Sequence, residues 1–261
     1  MTWLEALILG LVQGLTEFLP VSSSGHLEIG KVLLNIEVKE NLSFTVLVHF
    51  ATVLSTITVF SQDIKELLRG LLQFKWNEET RYVCKILVSM IPVLIVGFAF
   101  RENIASLYSG NLILVGSALI FTALLLSSTQ LVKAGTKRIP FSDAFIMGIA
   151  QAIAMIPGIS RSGATISAGL LLKNGRKEVA RFSFLMVLLP IAGGALLDIL
   201  SLSSNIAGNG IPAGTLLIGF LAAYLSGYMA CRWMINLVRK GNLYWFALYC
   251  AVIGFISIIF G

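Results

Sequence analysis

Residues Gly10–Gly25 read "GLVQGLTEFLPVSSSG", and 138 positions later Gly148–Gly163 read "GIAQAIAMIPGISRSG". Gly10, Gln13, Ser22, Ser24 and Gly25 fall on Gly148, Gln151, Ser160, Ser162 and Gly163 at that one offset, while Pro20 and Pro157 miss by one. Each stretch breaks an otherwise apolar run with Pro, Gly and Ser. Polar groups in hydrocarbon cost free energy unless they are paired or wet. A break of this kind, made twice in register, therefore marks a repeat with a site at its centre rather than a lapse in patterning.

The surrounding sequence fixes the setting. Of 261 residues, 57% are hydrophobic and 12% charged, against about 25% charged for an ordinary soluble domain. Six stretches are apolar enough to cross a bilayer: Leu42–Phe60, Tyr82–Phe100, Asn111–Val132, Phe182–Leu200, Thr215–Cys231 and Tyr244–Phe260; a span needs roughly 17–25 apolar residues. The broken segments Thr2–Leu34 and Phe141–Leu172 read as re-entrant helix pairs. The start is not a removable leader, since Glu5 stands where basic residues belong and no cleavage site follows. Cys84, Cys231 and Cys250 have no metal or disulfide spacing and read as free, buried thiols.

Lys and Arg orient the chain. Segments 61–85, 133–140, 173–181 and 232–240 hold 15 of the 19 basic residues, and loop 201–214 holds none. By the positive-inside rule the four rich segments are cytoplasmic. Six spans then alternate consistently if Thr2–Leu34 dips in from outside and Phe141–Leu172 from inside. The expected architecture is an all-α polytopic membrane protein: six transmembrane helices plus two re-entrant helix pairs in an inverted-topology repeat. It forms one integral domain, 1–261, with repeats at about 1–132 and 133–261. The net charge of +6 is mainly this topology signal and does not point to nucleic acid.

Where the two copies differ, chemistry appears. Glu17, Ser23 and His26 of the first copy align with Met155, Arg161 and Ala164 of the second. If the loops meet on a pseudo-axis, an acid, a hydroxyl, an imidazole and a guanidinium share one pocket. Arg161, between Ser160 and Ser162 just after Pro157-Gly158, offers a planar donor fork suited to phosphate, and free N–H groups at a helix start add to an anion site. Ser22, Ser23 and Ser24 precede His26, so either an activated Ser23 or His26 itself is a candidate nucleophile. N-capping accounts for at least one of the serines. Glu17, with Gln13 one turn earlier, can anchor a divalent cation, act as acid or base, or pair with Arg161. Gln151 and Thr165 are weaker candidates for the same oxygen cage. His49 has no repeat partner and reads as a core histidine; Glu28 and Lys31 read as a wetter face.

"QGLTEFLPVSSSGH" (Gln13–His26) and "PGISRSGAT" (Pro157–Thr165) together resemble the two signature motifs of the undecaprenyl-diphosphatase, or bacitracin-resistance, family, and the resemblance covers the whole chain. It implies hydrolysis of undecaprenyl diphosphate to undecaprenyl phosphate and inorganic phosphate, recycling the carrier for cell-wall polymers. It also implies a bacterial cell-membrane location with the site open to the outer face, and a divalent cation, Mg²⁺ or Ca²⁺. Carried over by motif, Glu17, Ser22, Ser23, His26, Ser160, Arg161, Ser162 and Thr165 form the site, and Ser24 belongs with the substrate-binding hydroxyls. The family's first acidic position is here Gln13, so metal binding rests on Glu17. The expected partners are the lipid substrate and membrane lipids, and the sequence is compatible with a homodimer. The alternative reading is a transporter or flippase of an anionic polyprenyl lipid, since inverted repeats are transporter devices. The Glu–Ser–His set in one copy only speaks for hydrolysis.

Overall fold

The computed structural model describes residues 1–33, 42–108, 110–133, 135–202 and 211–261, without the side chains of 42, 43 and 194–202. Lys39, Leu34 at the end of the first re-entrant segment, and most of loop 201–214 lie outside these residues. The described elements are helices: α1 (Trp3–Phe18), α2 (Ser23–Leu33), α3 (Leu42–Val59), α4 (Ser61–Leu71), α5 (Glu78–Ala99), α6 (Arg101–Leu107), α7 (Leu112–Ser128), α8 (Phe141–Ile153), α9 (Arg161–Leu171), α10 (Arg176–Leu202), α11 (Ala213–Lys240) and α12 (Tyr244–Ile259). Two isolated bridges, Gly135 to Gly175 and Lys137 to Asn174, are the only extended pairing among them.

Local sequence sets the helix starts. Thr2 and Glu5 cap α1 reciprocally, with Glu5 N donating to Thr2 Oγ1 at 3.3 Å and Thr2 N to Glu5 Oε2 at 2.8 Å. Asn77 and Asn111 cap α5 and α7 through Thr80 N at 2.8 Å and Leu114 N at 3.0 Å. Such caps satisfy N–H groups that no helical carbonyl reaches. Both broken segments break as the prolines demand: α1 stops at Phe18 before Pro20, α8 at Ile153 before Pro157, and α2 and α9 restart at Ser23 and Arg161.

Three of the described helices are long and apolar enough to cross a membrane, and a fourth if α3 and α4, bent by 73°, count as one span. The chain is a multi-pass membrane protein by this measure. The sequence missed α4, because Asp63, Lys65, Glu66 and Arg69 end the apolar run at Phe60. It also drew α11 short: the helix runs on past Cys231 to Lys240.

The apolar surface faces outward. On α11, Leu217, Leu221, Leu225 and Met229 form one exposed stripe, while Gly219, Ala223, Gly227 and Ala230 are buried on the opposite side. Small residues at helix contacts and large apolar ones outside are what lipid favours, since tails solvate Leu and packing alone joins helices. The contacts repeat: α1 packs on α11, and α8 on α5; α7 packs on α12, and α3 on α10. Gly116 and Gly254, also 138 positions apart, face each other so closely that a Cβ on Gly116 would stand 2.5 Å from Gly254 O.

The four basic segments gather at one end of the helices. Arg181 Nε pairs with Asp63 Oδ1 at 2.6 Å, Arg138 Nη1 with Glu78 Oε1 at 2.7 Å, and Gly175 N donates to Lys137 O at 3.0 Å. The Arg176 guanidinium lies against Gly241, just after Arg239 and Lys240. α5 leaves this end at Glu78, so α6 and Tyr108 lie at the other.

Candidate active site

The two breaks meet. Ser162 Oγ of the second loop donates to Leu19 O of the first at 3.2 Å, and a Cβ on Gly25 would stand 3.1 Å from Gly158 Cα. Gly158 has φ +94°, and any Cβ there would collide with Val115 O, so only glycine fits. Both loops carry the same clasp. Gly25 N donates to Ser22 Oγ at 3.2 Å and Gly163 N to Ser160 Oγ at 3.0 Å; Ser22 and Ser24 hydroxyls, and likewise those of Ser160 and Ser162, are 3.2 Å apart. Ser22 holds this clasp at φ +68°, a left-handed conformation that costs a non-glycine residue energy.

Glu17 is the centre of the polar cluster. Arg161 Nη2, from the second loop, donates to its Oε1 at 2.9 Å. Ser23 Oγ donates to its Oε2 at 2.6 Å, and Gln13 Nε2 to the same oxygen at 2.8 Å. Of the sequence-designated residues, Gln13, Glu17, Ser23 and Arg161 are thus brought together. Ser24 and Arg161 face a cavity of about 290 Å³, shared with Lys31, Thr45, His49 and Tyr108. It lies toward the end away from the basic segments. The Glu17 side chain is 4% exposed and that of Arg161 27%, so the guanidinium is the wet member of the pair.

Other designated residues turn elsewhere. His26 does not join Ser23: its Nδ1 donates to Ser22 O at 2.8 Å, and its Nε2 lies 2.8 Å from Tyr249 Oη on α12. Three residues apart on α2 the two could meet, but Glu17 claims the Ser23 hydroxyl while Ser22 O and Tyr249 Oη engage both ring nitrogens of His26. Ser22 and Ser160 serve as caps; Ser160 N also donates to Thr122 Oγ1 at 3.1 Å. Thr165 is buried and bonds back to Arg161 O at 2.9 Å. Gln151 is buried without a bond to Glu17, so neither it nor Thr165 completes a cage around that carboxylate.

Sequence reasoning missed His49. Its Nδ1 donates to Thr45 O at 2.8 Å, and the ring lines the cavity within reach of the charges on Glu17, Arg161 and Lys31. The signal was present: His49 aligns with Val187, the same one-copy asymmetry that marked Glu17. Tyr249 lies in an apolar span and carried no signal.

A family model described as "Bacitracin resistance protein BacA" matches residues 6–256. The chain belongs to the BacA family. Among curated relatives, the undecaprenyl-diphosphatases of Parabacteroides distasonis and Bacteroides fragilis are each 52% identical to it, over 99% of this chain and 98% of theirs. That of Carboxydothermus hydrogenoformans is 39% identical over 96% of this chain and 94% of its own. The matched range covers both loops, Glu17 and its three donors, Gln13, Ser23 and Arg161.

The residues fit a divalent cation only as a site shared with substrate. Gln13 gives its Nε2 to the Glu17 carboxylate and keeps Oε1 as a buried acceptor with no partner, and the described residues hold no group of three or more His, Cys, Asp and Glu that could bind a metal. One carboxylate and one amide oxygen match Mg²⁺ that takes its other ligands from phosphates and water.

Proposed function

We propose that the chain hydrolyses undecaprenyl diphosphate to undecaprenyl phosphate and inorganic phosphate, returning the lipid carrier to cell-wall synthesis, with Ser23 as nucleophile and Glu17 as base. The observation that carries this reading is the 2.6 Å bond from Ser23 Oγ to Glu17 Oε2 while Arg161 holds Glu17 Oε1. A serine hydroxyl is a weak nucleophile until an adjacent base takes its proton.

The terminal phosphate docks on the donors of Arg161 not used by Glu17, with Ser24 beside it. Ser23 Oγ attacks the terminal phosphorus and its proton passes to Glu17 Oε2. The bridging P–O bond breaks, and undecaprenyl phosphate leaves with the electron pair. Water then attacks the phosphoserine, the proton on Glu17 returns to Ser23 Oγ, and phosphate departs. Glu17 and Gln13 would hold a divalent cation, which when bound would supply charge neutralisation to the diphosphate. His26, clamped between Ser22 O and Tyr249, sets the shape of the first loop. A cavity of about 290 Å³ suits a diphosphate headgroup and leaves the polyprenyl tail among the exposed apolar helices.

The same reading covers topology. Six spans and two re-entrant pairs form an inverted repeat in a bacterial cell membrane, with the cavity facing outward. The paired contacts of α1 with α11 and α8 with α5 support it, as does the mutual contact of Gly116 and Gly254, because equivalent residues that touch lie on the axis relating them.

The test is phosphate release from undecaprenyl diphosphate by purified protein with and without Mg²⁺. Wild type is expected to release phosphate, Ser23→Ala, Glu17→Ala and Arg161→Ala to fall to background, and His26→Ala to keep measurable turnover. Release unaffected by Ser23→Ala would reassign the nucleophile; no release by wild type with any cation would overturn the activity.

A further inference from the structure

Besides Arg161, the cavity is lined by two basic side chains, His49 and Lys31. Arg161 marks its floor, because it also lines a second, smaller cavity of about 20 Å³ with Glu17 and the buried Thr52 and Ser162. Thr45 and His49 line the larger space and Thr52 the smaller, all on α3. His49 therefore stands about one helical turn above the floor. Lys31 marks the mouth: it is held by Glu28 Oε1 at 3.0 Å, and Glu28 Oε2 accepts Gly110 N at 3.1 Å from the connection before α7. From floor to mouth the order is Arg161, His49, Lys31.

The histidine is aimed by its own helix. With Nδ1 donating to Thr45 O, Nε2 has no hydrogen-bond partner among the described residues. As the open nitrogen of a ring that lines the cavity, it accepts from a phosphate hydroxyl in the neutral ring and donates to a phosphate oxygen in the doubly protonated one. Lys31 adds a mobile point charge, part-neutralised by Glu28 but aimed by it.

We propose that His49 and Lys31 form a second phosphoryl subsite, which holds the lipid-bearing phosphate of a diphosphate while Arg161 holds the terminal one, so that the chain selects diphosphates over monophosphates. This rests on the hydrolase reading above for the order of the two phosphates. Hydrolysis then weakens product binding by itself, since the monophosphate lipid keeps only the outer subsite and inorganic phosphate only the inner one.

The experiment is calorimetric titration of the purified protein with inorganic pyrophosphate and with orthophosphate in excess Mg²⁺. Wild type is expected to bind pyrophosphate at least about tenfold more tightly than orthophosphate. His49→Ala and Lys31→Ala are each expected to weaken pyrophosphate by about tenfold and leave orthophosphate within about twofold, the worth of one charge-assisted bond. His49→Gln, which keeps a donor, should recover most of the loss. Equal affinity of wild type for the two anions would overturn the subsite. So would His49→Ala and Lys31→Ala proteins that retain wild-type pyrophosphate affinity, or that lose both anions alike. Phosphate release from undecaprenyl diphosphate by the same wild-type preparation is read separately; its absence would remove the hydrolase reading and leave the binding comparison intact.

Discussion

Glu17 shows how much one buried carboxylate can organise. It accepts from Arg161, Ser23 and Gln13 within 2.9 Å, and each donor comes from a different turn of backbone. Glu17→Gln keeps the shape but removes the base and leaves Arg161 without its counter-charge. Turnover should fall by about 10²–10⁴, the usual worth of a positioned base, with phosphate release as the readout. Arg161→Lys keeps the charge but loses the fork that spans carboxylate and phosphate; a loss of at least about tenfold is expected in kcat/KM. Thr165 is the counter-case. Its hydroxyl is spent on Arg161 O, so Thr165→Val should stay within about threefold of wild type, since removing a back-bond costs the helix little. A larger loss would return Thr165 to the site.

At the scale of elements, the site depends on helices that end early. A continuous helix through Pro20 or Pro157 would carry Ser23 and Arg161 away from Glu17, whereas the breaks let α2 and α9 restart with their first turns toward each other. Ser160 caps α9 through Gly163 N, and Ser160→Ala should cost about 1 kcal/mol without direct loss of a substrate contact. Thermal unfolding in detergent, beside kinetics, separates the two effects: a lowered midpoint with near-normal KM is expected. The Gly116–Gly254 contact is less forgiving. Gly254→Leu would push α12 from α7, against the backbone oxygen of Gly116 2.7 Å from the new Cβ; overpacking of this kind costs about 1–3 kcal/mol, and a clear drop in unfolding midpoint is the measurement.

Across the whole molecule, charge and apolarity are sorted by direction. Basic segments collect at one end, large apolar side chains face outward, and the polar cavity opens toward the other end. Orientation in the cell can be read by a membrane-impermeant maleimide on intact cells, the buried Cys231 and Cys250 being poor targets. Ser106→Cys on α6 should label from outside and Lys75→Cys after α4 only once cells are opened. The reverse pattern would place the cavity on the cytoplasmic side.

Sequence alone determined the apolar class, the helix-breaking positions, the 138-residue correspondence and the likeness of two motifs to a phosphatase family. These are local or periodic properties, fixed by residue type and spacing. Only the tertiary structure decided which side chains meet. Ser23 bonds Glu17 rather than His26, Thr165 turns inward, and His49 comes to the cavity from a separate span, because helix rotation and the crossing of α1, α3 and α9 set those directions and no spacing along the chain encodes them. Burial then makes the choice binding: inside a membrane a polar group must take whichever partner the packing brings within reach.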